Sequence, residues 1–179
     1  MKPVTSNQES ETKSERILII NGPNLNWVGT REPDVYGSQN LEEYLNSLNQ
    51  ELETSNQEPE TRNQKPFTSN QKPGTRNHLL ETTQSNIEGE IINQLQDAET
   101  DTNVVGVIIN AGGYAHTSVA IADTIRAMSK KVIAVHISNT FDREVERHKD
   151  LVAAASDGFI GGFGLDGYRL ALVSLGVGI

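Results

Sequence analysis

The chain has 179 residues, enough for one ordinary domain around a single core. Lys and Arg total 15 against 24 Asp and Glu, and the formal net charge of -9 works against non-specific binding to nucleic acid or to an anionic membrane surface. Cysteine is absent, which excludes disulfides, thiolate catalysis and zinc-thiolate sites, and no run approaches the ~18 apolar residues of a membrane span.

The first fifteen residues are polar, without an apolar signal core, and are expected to form a disordered tail on a soluble, cytoplasmic protein. The run Ile17-Leu18-Ile19-Ile20 then predicts a buried strand over Arg16–Asn21. It stops abruptly at Asn21-Gly22-Pro23-Asn24-Leu25-Asn26, where backbone and amide groups must face a ligand. Just beyond, Arg31 and Tyr36 put a guanidinium and a phenol five residues apart, without the Gly-x-Gly-x-x-Gly spacing of a dinucleotide site. That pairing points to proton transfer.

A helix is expected over Leu41–Glu53, followed by a polar repeat. Thr54-Ser55-Asn56-Gln57-Glu58-Pro59 recurs as Thr68-Ser69-Asn70-Gln71-Lys72-Pro73, a period of 14 residues, and a decayed copy begins at Thr5. Such a tract buries too little to offset roughly 1–2 kcal/mol of backbone entropy per ordered residue. It reads as a solvated, low-complexity insertion at about 54–77 within a single catalytic domain over 16–179; a partner-binding role is the alternative.

Further strands are predicted at Leu79–Thr83, Val104–Asn110, Lys131–His136 and Gly158–Ile160, and helices at Asn86–Asp97, Ser118–Ser129, Asp142–Ala155 and Leu165–Leu175. The alternation is that of an α/β protein, a flavodoxin-like three-layer sandwich with a five-stranded parallel sheet. Three strands end in polar residues: Asn21-Gly22-Pro23-Asn24, Asn110-Ala111-Gly112-Gly113 and His136-Ile137-Ser138-Asn139. Ligands of open parallel sheets bind outside the carboxyl ends of strands, so these loops are expected to converge on one crevice.

Each residue also has a plainer reading. The Asn-Gly-Pro and Asn-Ala-Gly-Gly runs are ordinary turn chemistry. His116 reads as a surface residue ahead of a Thr117-Ser118 helix cap, His136 as a satisfied core histidine, and Tyr36 as packing. Arg143 and Arg147, at i and i+4 beside Glu144 and Glu146, read as a solvated helix face. The functional reading gains weight because the exceptions fall at the same end of one sheet.

Together these residues resemble the type II 3-dehydroquinate dehydratases. The resemblance covers Ile17 to about Leu175 apart from the insertion. It rests on Asn21-Gly22-Pro23-Asn24-Leu25-Asn26, on Gly29-Thr30-Arg31-Glu32-Pro33 with Tyr36-Gly37, and on Gln84-Ser85-Asn86 with Glu88-Gly89-Glu90. It rests as well on Asn110-Ala111-Gly112-Gly113 with His116-Thr117-Ser118, on His136-Ile137-Ser138-Asn139, and on Gly164 with Gly167-Tyr168. It implies a lyase that removes water from 3-dehydroquinate by anti elimination through an enolate, with no cofactor and no metal, in the shikimate pathway of chorismate and aromatic amino acid biosynthesis or, by the same reaction, in quinate breakdown. On this resemblance Tyr36 is the base, His136 the general acid, Arg31 the lid arginine and Asn24 the stabiliser of the enolate. Arg143 supports the tyrosine. Asn110 and the N–H groups of Ile137 and Ser138 receive the carboxylate, His116 and Arg147 hold ring hydroxyls, and Asp123 is contributed by a neighbouring subunit of a homododecamer.

The chain departs from the family pattern in places. Ala134 stands where a glutamate commonly precedes the histidine by two residues, which removes a carboxylate that could orient the imidazole. Trp27 replaces a smaller side chain, Phe141-Asp142 a His-Ala or Tyr-Ala pair, and Lys149-Asp150-Leu151 a Ser-Tyr-Leu-like segment. Two alternatives stay open: a flavodoxin-like binding or regulatory domain, and a degenerate family member kept for assembly. A Schiff-base mechanism is disfavoured, because none of the three strand-end loops contains a lysine.

Overall fold

The computed structural model describes residues 15–30, 39–57 and 78–179. Five strands, β1 (Glu15–Asn21), β2 (His78–Gln84), β3 (Val104–Asn110), β4 (Lys131–His136) and β5 (Gly158–Gly161), form one sheet in the order β2-β1-β3-β4-β5. Every neighbouring pair is parallel. This is the flavodoxin-like order, with the change of direction between β1 and β3.

Residues alternate between the two faces of the strands, and each face has its own core. On one, Ile17, Ile19, Ile108, Ile133 and Val135 pack with Leu45, Leu48 and Leu52 of α1 (Leu41–Gln57) and with Tyr168 and Leu172 of α5 (Asp166–Ser174). On the other, Leu18, Ile20, Val107, Ile109 and Ala134 meet Ile91 and Leu95 of α2 (Glu88–Thr100) and Ile121 and Ile125 of α4 (Val119–Ala127). Each wholly buried aliphatic contributes about 1.5–3 kcal/mol, which is why β1, β3 and β4 read as unbroken apolar runs and why their polar last residues stand out. The edge strand β2 alternates instead, with Leu79 and Glu81 exposed.

The five strands match expectation to within a residue at either end. Two differences are instructive. Helix α1 continues to Gln57, with the Thr54 hydroxyl donating to the Gln50 carbonyl at 2.9 Å, so the first repeat residues form its last turn. The rest of the repeat, the amino-terminal tail, and Arg31 and Tyr36 lie outside the described residues.

The helix expected over Asp142–Ala155 is not formed. In its place are two 3-10 turns, Thr140–Asp142 and Val145–Arg147, and a run of turns from Leu151 to Ala155. Side chains satisfy the backbone locally: Asn139 Oδ1 accepts the Phe141 N–H at 3.1 Å and Asp150 Oδ1 accepts the Ala153 N–H at 2.7 Å. A helix here would have no apolar stripe to hold it to the sheet, since Phe141 and Val145 are exposed and Val152 alone is deeply buried. An additional one-turn helix, α3 (Tyr114–Thr117), carries His116 and precedes the Ser118 cap of α4, whose hydroxyl accepts the Ile121 N–H at 2.9 Å.

Candidate active site

The three polar strand ends do converge. Pro23, Asn24, Asn110, Gly112, Gly113, His136, Ile137 and Ser138 line one cleft at the carboxyl end of the sheet, with Leu25, Trp27, Val28, Thr140 and Arg147 completing its wall. The β1 and β3 loops touch backbone to backbone: a Cβ on Gly22 would lie 2.4 Å from the Ala111 carbonyl oxygen, so only glycine fits. Gly112, at φ +57°, makes the reciprocal approach to Pro23. Asn24 sits in the left-handed region at φ 65°, and its N–H donates to Asn86 Oδ1 at 3.0 Å. An asparagine tolerates that conformation where most residues do not.

Beneath the cleft lies a buried amide and phenol chain. The Tyr168 hydroxyl donates to Asn21 Oδ1 at 2.6 Å and accepts from Asn110 Nδ2 at 3.1 Å, while Asn110 Oδ1 accepts the Gly112 N–H at 3.3 Å. Burial pushes the Tyr168 phenol far up from its ordinary value, against a smaller opposing effect of the Asn110 hydrogen bond, so Tyr168 is a neutral structural donor. The second Asn110 side-chain N–H has no partner among the described residues.

His136 stands on the cleft wall. Its Nε2 lies 2.8 Å from Asp150 Oδ2, and both side chains are largely buried, at 10% and 12% exposed. Burial alone would raise the Asp150 carboxyl; hydrogen bonds from His136 and the Ala153 N–H hold it below the usual aspartate range. The His116 ring stacks on His136 at 5.6 Å and 17°. His116 Nδ1 lies 2.9 Å from the Lys149 carbonyl, which only accepts, so Nδ1 carries the proton and Nε2 is left as a buried acceptor with no partner among the described residues.

The arginines do not share a helix face. Arg143 is extended and Arg147 sits in the second 3-10 turn, and Glu144 between them contacts both, Arg143 at 3.4 Å and Arg147 more closely. The Arg147 hydrogen bond, foremost among the causes, pulls the Glu144 carboxyl down to about 2. Arg147 reaches the cleft wall. Asp123 is exposed on α4, paired with Arg126 at 2.8 Å, and is not among the cleft residues of its own chain. The carbonyls of His136 and Ile137 accept the N–H groups of Gly162 and Gly164, so trans peptide geometry turns the Ile137 and Ser138 N–H groups away from that loop.

A family model for class II dehydroquinases matches residues 15–66 and 60–176. The chain belongs to this family. A 3-dehydroquinate dehydratase of an Exiguobacterium species is 43% identical over 160 residues, covering 89% of this chain and 93% of the relative. That of Nitrobacter winogradskyi is 38% identical over 162 residues, 90% of each. Among solved structures, the type II dehydroquinase from Butyrivibrio crossotus aligns with TM-score 0.75 at 36% identity, over 91% of this chain and 98% of that one.

Within this class II dehydroquinase, three site contacts were invisible in the sequence: the Asp150 carboxylate on His136, the Tyr168 hydroxyl under Asn110, and the Glu144 bridge. The only signal for Asp150 was that Lys149-Asp150-Leu151 departs from the family pattern. Ala134 is buried in the core among aliphatics and makes no polar contact with the imidazole.

Proposed function

We propose that this chain is a 3-dehydroquinate dehydratase, a hydro-lyase of the shikimate pathway that takes water from 3-dehydroquinate by cofactor-free anti elimination through an enolate. The observation that carries this reading is a buried, carboxylate-held imidazole on the wall of a cleft that also presents Asn24, Asn110 and Arg147, in a chain about 40% identical over nine-tenths of its length to proteins of that name.

In this mechanism a base removes a proton α to the ketone, the enolate collapses, and the departing hydroxide takes a proton from His136. Tyr36 is the base. In support, Tyr168 is buried and committed to Asn21, and burial with the Asp166 hydrogen bond pushes Tyr44 up to about 12. The Tyr114 hydroxyl donates to the Asn86 carbonyl at 3.0 Å. Tyr36, the remaining tyrosine of the chain's four, is the one the family resemblance names as the base. Bringing a phenol from ~10 to near neutrality takes roughly 4 kcal/mol of preferential phenolate stabilisation, which Arg31 and Arg143 supply as the Gly29–Tyr36 segment closes and expels water.

Asn24 steadies the enolate oxygen, and the free Asn110 N–H, with Ile137 N–H and Ser138 N–H, holds the substrate carboxylate. His116 Nε2, a buried acceptor awaiting a donor, and Arg147 take ring hydroxyls. Asp123, exposed on α4 away from its own cleft, serves the cleft of a neighbouring copy in a homododecamer.

The test is ultraviolet absorbance of the conjugated enone product. Wild-type protein is expected to form product from 3-dehydroquinate, and Tyr36→Phe to lose at least about 100-fold in kcat. Folded wild-type protein that yields no product sinks the proposal.

A further inference from the structure

The segment Lys149–Leu151 lies in the irregular run after β4, yet its backbone and side chains reach both His136 on the cleft wall and the His116 ring stacked behind it, which is not itself among the cleft residues. Leu151 N–H donates to the Ala115 carbonyl at 2.8 Å, anchoring the segment to α3. From that anchor the Lys149 carbonyl accepts from His116 Nδ1 and the Asp150 carboxylate accepts from His136 Nε2. Asp150 is itself held from the other side, through Oδ1 and the Ala153 N–H.

We propose that Asp150 is the positioning residue for His136: its carboxylate fixes the ring with the proton on Nε2 and so leaves Nδ1 to exchange protons with the substrate. The inference rests on the dehydratase reading for its kinetic consequence, and on this chain's own geometry for the orientation. A ring nitrogen 2.8 Å from a carboxylate oxygen carries its proton toward that oxygen. Nδ1 makes no hydrogen bond among the described residues. Across the face of the ring, the stacked His116 is tied to the same segment, so one short strap orders both imidazoles. Ala134, two residues before His136, offers no carboxylate from β4 itself, and the strap supplies one from outside the sheet.

Among the described residues, the charged and titratable groups around the His136 ring are Asp150, His116 and, on the same cleft wall, Arg147. Asp150 is the single anion of that set. Its removal disfavours the protonated ring and the acid that donates to the leaving group.

Asp150→Asn keeps an oxygen for the Ala153 N–H and so preserves the strap. It is expected to lower kcat about 10- to 100-fold with KM changed by less than about threefold, to move the limb of the kcat profile that requires the protonated acid to lower pH, and to be partly rescued by Asp150→Glu. A kcat and pH profile equal to wild type would overturn the proposal. A second readout is independent of turnover. Ring nitrogen chemical shifts of neutral His136 are expected to report the Nε2–H tautomer in wild type and a mixture in Asp150→Ala; an unchanged tautomer in that variant also overturns it. Wild-type protein without dehydratase activity defeats the functional reading alone, because the tautomer measurement still decides the role of Asp150.

Discussion

The cleft has two kinds of wall. The ends of β1, β3 and β4 are placed by strands whose aliphatic side chains, the exposed Val105 apart, are almost wholly buried, Ile17, Ile19, Ile20, Ile108 and Ile109 at 0% exposure. The segment from Thr140 to Ser156 has little regular structure, exposes Phe141 and Val145, and is held by side chains bonding to nearby backbone. The first wall belongs to the cooperative core, the second to local contacts that open at lower cost. The difference separates two tasks: the core sets where the His136 Cα stands, and the strap sets how its ring is turned.

The largest expected effect tests the first wall. Ile108→Ala removes buried methylenes from the middle of β3 and leaves a cavity between the sheet and α5, costing about 2–5 kcal/mol of stability in a urea titration. Val145→Ser, in the second wall and 71% exposed, is expected to stay within about 0.5 kcal/mol of wild type. Equal losses from the two would break the comparison.

A smaller effect probes the junction between core and cleft. Tyr168→Phe keeps the packing of α5 on the sheet but leaves Asn21 Oδ1 and one Asn110 N–H short of a partner inside the core. The expected loss is about 2–3 kcal/mol, read as a lower urea midpoint at unchanged slope. With Asn110 no longer braced, KM for 3-dehydroquinate is expected to rise. A neutral result would mean that water enters and replaces the hydroxyl.

How much of this was legible in the sequence follows the same division. Runs such as Val107–Asn110 and Val132–His136 announce strands buried on both faces, and their polar ends announced the cleft, because burial leaves a direct pattern in residue type. The Asp142–Ala155 segment misled because charges spaced at i and i+4 look the same on a solvated helix as on successive tight turns, and the choice fell to Asn139 and Asp150 bonding to the backbone. Contacts across the chain leave no periodicity at all. Tyr168 reaches Asn21 over 147 positions, and Asp150 reaches His136 from a segment tied to the Ala115 carbonyl through the Leu151 N–H. Arg31 and Tyr36, legible as a motif, lie outside the described residues.

The smallest expected effect concerns the strap and depends on pH. Asp150 has its carboxyl held below the ordinary value of 3.8 in the folded protein, where the His136 and Ala153 hydrogen bonds overcome the cost of burial. A carboxylate with a depressed folded-state pKa stabilises the fold at pH values above its unfolded pKa, and that contribution is lost as pH falls through the lower, folded value. Asp150→Asn is therefore expected to cost about 1.5 kcal/mol at pH 7, and the carboxyl's own part of the gap to wild type closes in acid below about pH 3.8, since above that Asp150 is ionised in both states of wild type. Thermal melts of the two proteins at stepped pH measure it. A gap that stayed open through the acid range would mean that the Asp150 carboxylate carries none of this stability.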